Sequence, residues 1–167
     1  GFAVLLVMTT FDYHHLLRLA YPSYFFSIAL LVLVFFIGDT RSGSQRWLSL
    51  GGFTFQPSEL LKITLVIWLA KFYEDRTHMT EFKLRDLWLA LIIIAIPCAL
   101  IIKEPDLGTA LTVLIVSFSV ILFGKLRGRS LLILVIGALS AAPFLWTALK
   151  EYQQKRILTF LNPDLDP

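Results

Sequence analysis

Seven residues of this chain have the types and spacing to do chemistry: Arg46, Trp47, Glu59, Lys62, Lys103, Glu104 and Asp106. Glu59 and Lys62 stand in "FQPSELLK" (55–62), at the i, i+3 spacing that lets a carboxylate and an ammonium pair on one helix face. Lys103, Glu104 and Asp106 surround Pro105 in "KEPDLGTAL" (103–111). Arg46, with Arg41 nearby, offers the planar guanidinium fork that suits a lipid phosphate. Trp47 carries the amphipathic ring that settles at headgroup level. Plainer readings stand beside these. Glu59 follows Pro57 in a first helical turn, where a carboxylate complements the helix dipole. Asp106 follows Pro105 and could do no more than cap its helix, and the Arg46–Trp47 loop could be simple interfacial anchoring.

The elements that must position these residues are membrane spans. Of 167 residues, 57% are hydrophobic and only 16% charged, with a mean hydropathy of +0.75. A soluble domain carries roughly 25% charge. The apolar runs lack the period-2 alternation of an outer-membrane barrel, so the reading is an all-α polytopic membrane protein. Five spans are expected at 22–38, 57–73, 87–105, 106–123 and 130–149, after an apolar N-terminal stub at 1–9 too short to cross. The chain starts without Met and ends in "NPDLDP", and is read as an internal piece of a larger protein. The stretch 39–56 is broken by Gly43, Gly51 and Gly52 yet rich in Trp47, Leu48, Leu50, Phe53 and Phe55, so it is expected to dip into the interface as a loop.

Charge orients the spans. With alternating topology, one side holds Arg18, Lys71, Arg76, Lys83, Arg85, Lys125, Arg127 and Arg129, and the short loops opposite hold Arg41, Arg46 and Lys103. Eight against three places the first set in the cytoplasm. A helix needs roughly 20 residues to cross the hydrocarbon core. Counting that far back from Tyr73 reaches Thr54, and outward from Leu87 reaches Asp106. Glu59, Lys62, Lys103, Glu104 and Asp106 thus converge on the outer part of the bilayer, while "TLVIWLA", "LALIIIAIP" and "VLIVSFSVILF" carry no charge. Each intramembrane charge costs about 2.5–3.5 kcal/mol on insertion scales and normally faces a bundle interior or a watery cavity. A polar cavity open to the outside accounts for all five together.

Other chemistry is not indicated. His14, His15 and His78 lack metal-site spacing, and neither a P-loop nor a Gly-x-Ser-x-Gly elbow occurs, so no nucleotide is implied. The net charge of +3 belongs to loops and implies no nucleic acid. Cys98 is alone in an apolar run, so there is no disulfide framework. Gly137 and Ala141 form a small-xxx-small pair suited to helix packing.

Three motifs, "QRWLSLGGFTFQPSELLKI" (45–63), "KEPDLGTAL" (103–111) and "YQQKRILTFLNPDLDP" (152–167), resemble the SEDS family of cell-wall synthases, nearer its RodA-like branch than its FtsW-like branch. The likeness runs over essentially the whole chain. It implies part of a bundle of roughly ten membrane helices, the helix being the unit that spans lipid with its backbone satisfied. It also implies a peptidoglycan glycosyltransferase of the bacterial cytoplasmic (inner) membrane, its site facing outward. Such an enzyme polymerises glycan strands from lipid II in cell elongation and rod-shape maintenance, with a class B penicillin-binding protein as partner. Glu59, Lys62 and Asp106 match the family's cavity residues, and Arg46 and Trp47 its extracellular motif. The chemistry calls for a carboxylate base and cationic help for a departing diphosphate. Lys62, Lys103 and Arg46 are assigned to the diphosphate, Glu59 and Asp106 to hydroxyls, charges or a divalent cation, and Trp47 to sugar or lipid. The family's essential loop aspartate matches no position here. "NPDLDP" opens the loop that carries it, and Asp164 and Asp166 precede that region, so this segment is expected to be inactive alone. A flippase for the same lipid and a non-catalytic scaffold for the partner are the alternatives. A flippase would need polar groups in the cytoplasmic half as well.

Overall fold

A computed structural model of the chain describes residues 13–41, 44–50, 53–124, 126–148, 154, 158 and 159. The stub expected at 1–9 lies outside the described residues, as does nearly all of the loop expected from 150. The described chain forms α1 (Tyr13–Arg18), α2 (Ala20–Ile37), β1 (Asp39–Arg41), β2 (Ser44–Leu50), β3 (Phe53–Phe55) and α3 (Pro57–Glu74). A 3-10 turn (Leu84–Leu87) leads into α4 (Trp88–Lys103), followed by α5 (Leu107–Phe123) and α6 (Gly128–Ala148). The chain divides into two compact units, Gly1–Lys125 and Leu126–Pro167. In the second, α6 exposes Leu132, Ile133, Ile136 and Leu139, and a side chain at Gly137 would meet nothing within 4 Å.

Two segments, Ala20–Ile37 and Leu84–Lys103, are long and apolar enough to cross a membrane, and Leu107–Phe123 is a shorter apolar helix. An 18-residue α2 rises about 27 Å at 1.5 Å per residue, close to the thickness of a hydrocarbon core. The equally long α3 carries Glu59, Lys62, Lys71 and Glu74, grouped toward its ends, and leaves Ile63–Ala70 uncharged.

The core of the first unit is a set of helical seams. In α2 the buried residues Tyr24, Ser27, Leu31 and Val34 recur at three- and four-residue steps, so they share one stripe. The facing stripe of α3 is Leu61, Thr64, Leu65, Trp68, Leu69 and Phe72. α5 contributes Ala110, Val113, Ser117 and Ile121 by the same rule. Away from these seams Phe25, Phe26, Phe36, Ile63 and Phe123 are exposed, which suits helices surrounded by lipid or by further helices. Small polar residues stitch α2 to α3: Thr64 Oγ1 lies 3.0 Å from Ser27 Oγ and 3.1 Å from the Leu61 carbonyl. Interhelical hydroxyl contacts of this kind are common in membrane bundles.

The stretch 39–56 departs from the loop expected of it. β1, β2 and β3 form an antiparallel sheet in that order. Asp39 lies opposite Trp47 and Leu48 opposite Phe55, with an irregularity between Asp39 and Thr40. Pairing satisfies backbone groups that an irregular loop beside lipid would leave orphaned. Only two residues separate the end of β2 from the start of β3, a spacing that favours a hairpin.

Candidate functional site

β3 passes through Gln56 directly into α3, and Arg46 on β2 reaches the turn between α4 and α5. The start of α3 and the α4–α5 turn therefore lie at one end of the bundle, beside the sheet. Glu59, Lys62, Lys103, Glu104 and Asp106 all belong to that end.

At this end the charges fall into two groups. Glu59 and Lys62 form a pair within the first turns of α3, with Lys62 Nζ 2.8 Å from Glu59 Oε2 and 2.9 Å from Oε1. Pro57 at the first helical position starts α3 with its φ already set, and Glu59 sits where the dipole favours an anion. The Glu59 side chain is 56% exposed, so the pair stays open to a ligand. Lys103, the last residue of α4, is exposed as well.

The second group is closed. Arg46 Nη2 donates to the Pro105 carbonyl at 2.7 Å, Nη1 lies 3.4 Å from Asp106 Oδ2, and Nε makes a long contact of 3.5 Å with the Glu104 carbonyl. Asp106 is buried and caps α5: Oδ1 accepts from the Thr109 backbone N–H at 3.2 Å and Oδ2 from the Thr109 hydroxyl at 2.8 Å. α4 stops before Pro105, whose ring disfavours helical backbone at the preceding residue, and α5 restarts from the Asp106 cap. Glu104 is 5% exposed, and its Oε1 is buried without a hydrogen-bond partner among the described residues. Trp47, next to Arg46 on β2, is half-buried.

The structure thus separates the expected site residues by availability. Glu59, Lys62 and Lys103 are accessible, whereas Arg46 and Asp106 are spent on protein partners. Thr109, which the sequence reading did not select, completes the Asp106 cap, and its signal was a hydroxyl residue three places after a capping aspartate. Among the described residues no three His, Cys, Asp or Glu side chains gather, and the Asp106 carboxylate already meets Arg46.

The opposite end carries a charge lock. Lys71 Nζ lies 2.9 Å from both Glu74 and Asp75, the Tyr21 hydroxyl donates to Asp75 Oδ2 at 2.8 Å, and Arg76 stacks 3.9 Å from the Phe72 ring. Its lysine and tyrosine contacts hold the Asp75 carboxyl below its ordinary range. This ties α2 to the end of α3.

Comparison with known proteins decides the family. The family described as "Cell cycle protein", which takes in FtsW, RodA and SpoVE, matches residues 1–167. The chain belongs to the FtsW/RodA/SpoVE family. Among SEDS relatives, the peptidoglycan glycosyltransferase MrdB of Helicobacter pylori strain J99 is 38% identical over 97% of this chain and 43% of its own length. MrdB of Escherichia coli K12 is 34% identical over 86% of the chain and 39% of its own length. In a solved structure described as "Structural coordination of polymerization and crosslinking by a peptidoglycan synthase complex", a chain 32% identical superposes with a TM-score of 0.79, over 100% of this chain and 49% of that one. The rod shape determining protein RodA of Thermus thermophilus, 33% identical, gives 0.68 over 86% of this chain and 46% of its own. The fold is therefore that of a SEDS membrane protein, and the chain spans less than half the length of these relatives.

Proposed function

We propose that this chain is the part of a peptidoglycan glycosyltransferase that forms the outward-facing cavity for lipid II, in the inner membrane of a bacterium. The observation that carries the reading is the accessible Glu59–Lys62 pair, set with Lys103 at one end of an otherwise apolar bundle in a chain of this family. In glycan polymerisation an acceptor hydroxyl attacks the anomeric carbon of the donor sugar, and a lipid diphosphate leaves. Lys62 and Lys103 supply positive charge where that diphosphate develops, and cations fixed in place before the reaction stabilise it without reorganising. Glu59 orients Lys62 and accepts a hydrogen bond from a sugar hydroxyl on its exposed side. Trp47 offers an apolar face to sugar or lipid. The base that takes the acceptor proton is assigned to none of these residues. A class B penicillin-binding protein as partner and a role in elongation are part of the same proposal, supported by the synthase-complex structure and the MrdB relatives.

The test is direct. The full-length protein, reconstituted with its penicillin-binding partner, is given fluorescent lipid II, and glycan strands are resolved on a gel. Polymer of increasing length supports the reading. Unchanged lipid II from folded, assembled protein overturns it.

A further inference from the structure

The guanidinium of Arg46 reads three consecutive residues of the α4–α5 turn: the Glu104 carbonyl, the Pro105 carbonyl and the Asp106 carboxylate. These partners lie beyond the end of α4, where Pro105 has no N–H and helical pairing is not available to satisfy them. A planar fork with five donors can meet all three acceptors at once, and a lysine ammonium on its flexible stem cannot reproduce that geometry. Thr109 holds Asp106 from the other side through both carboxylate oxygens. Three of the five Arg46 donors are therefore directed at protein oxygens, and Asp106 has little accepting capacity left for a substrate.

What the contact does is set the sheet. Arg46 and Trp47 are neighbours on β2, so their side chains leave opposite faces of the strand. Fixing Arg46 on the turn fixes the attitude of Trp47. β2 pairs with β3, which continues through Gln56 into the first two turns of α3, where Glu59 and Lys62 stand. One side chain thus couples the α4–α5 turn to every accessible group of the candidate site except Lys103, which ends α4 just before the turn.

We infer that Arg46 is a positioning residue, a brace between the outer sheet and the α4–α5 turn that holds Trp47 and the Glu59–Lys62 pair in their working places without touching the substrate. Its catalytic consequence rests on the proposed lipid II chemistry; its structural part does not.

Two measurements on the full-length protein separate these. Amide hydrogen exchange without substrate compares wild type, Arg46→Lys, Asp106→Asn and, as a control, Lys62→Met. The brace predicts exchange about tenfold faster or more at both 44–50 and 104–109 in the first two variants, and wild-type protection there in Lys62→Met. Unchanged protection in Arg46→Lys overturns the brace, whatever the protein does with lipid II. Lipid II polymerisation then gives kcat and KM. The brace predicts that Arg46→Lys is as damaging as Arg46→Met, that kcat falls while KM stays within about twofold, and that Arg46→Lys combined with Asp106→Asn costs less than the sum of the two singles, since they share one contact. A near-normal Arg46→Lys beside an Arg46→Met with a tenfold higher KM would make Arg46 a substrate contact and overturn the inference. A wild-type protein that binds no lipid II would defeat the proposed function and leave the exchange result standing.

Discussion

The hydroxyl of Tyr24 on α2 donates at 2.8 Å to the carbonyl of Ile93 on α4, the acceptor that Pro97 leaves without its helical partner. In an unbroken helix the N–H of residue 97 would serve the carbonyl four residues earlier, and proline has no N–H. Lipid offers no water in its place, so a neighbouring helix supplies the donor. The bond explains how α4 tolerates Pro97 in mid-span, and why the buried end of Tyr24 is polar.

Removing that donor has a defined cost. Tyr24→Phe is expected to destabilise the full-length protein by about 1 kcal/mol, within the range measured for interhelical hydrogen bonds in membranes. The check is thermal unfolding in detergent, repeated in a Pro97→Ala background. There the helix serves its own carbonyl, so the loss from Tyr24→Phe should largely vanish. An equal loss in both backgrounds would show that the hydroxyl matters for another reason.

Gly124 ends α5 against the ring of Tyr73 on α3, so close that an added Cβ would collide with the ring carbons and hydroxyl. Gly124→Ala should therefore destabilise by about 1–3 kcal/mol, the usual cost of overpacking. Trimming the ring with Tyr73→Ala should remove most of the penalty of Gly124→Ala, though not the cost of losing the ring itself. A double-mutant cycle read by unfolding would expose the coupling, and additive losses would count against the contact.

The Asp75 lock carries a pH signature. Its carboxyl titrates below the ordinary range in the folded protein, first because Lys71 donates to it and then because Tyr21 does. A depressed carboxylate contributes stability that is fully present above its unfolded value of about 3.9 and is lost as pH falls through the folded value. The difference in stability between wild type and Asp75→Asn should thus be constant near neutrality and shrink below about pH 4. The effect is small, because the group is solvent-exposed and screened. A difference that grows on acidification would reverse the sign and refute the assignment.

Much of the architecture was legible locally. The span read at 57–73 lies beside the observed Pro57–Glu74, and 106–123 beside Leu107–Phe123, because Pro57 and Pro105 bound them and each carries a long apolar run, 63–70 in the first and 107–123 in the second. The start read at residue 22 sits two residues inside α2, since Pro22 is tolerated within a first turn as well as at its beginning. The sheet was not legible. Its strands are short, and a glycine-broken apolar stretch reads the same whether it pairs with itself or lies irregularly in the interface. The Asp106 cap could be anticipated from Pro105 and the apolar run after it. The Arg46 contacts could not, because their partners are 58 and 59 residues away and nothing local selects them. A guanidinium whose chemistry suits an external phosphate is thus met in the fold by internal oxygens.

The central claim is that the accessible charge pair at the start of α3 handles the lipid diphosphate. It is tested most directly by the kinetics of lipid II polymerisation in the full-length complex, comparing wild type, Lys62→Met and Glu59→Gln. Folding and partner binding are confirmed in the same preparations. Lys62→Met should lower kcat/KM about 10–100-fold, the loss expected of a charge-assisted contact worth roughly 1.4–2.7 kcal/mol, with a smaller drop for Glu59→Gln. Normal kcat/KM in folded, assembled Lys62→Met would contradict the account and leave Glu59 and Lys62 as an ordinary helix-end ion pair.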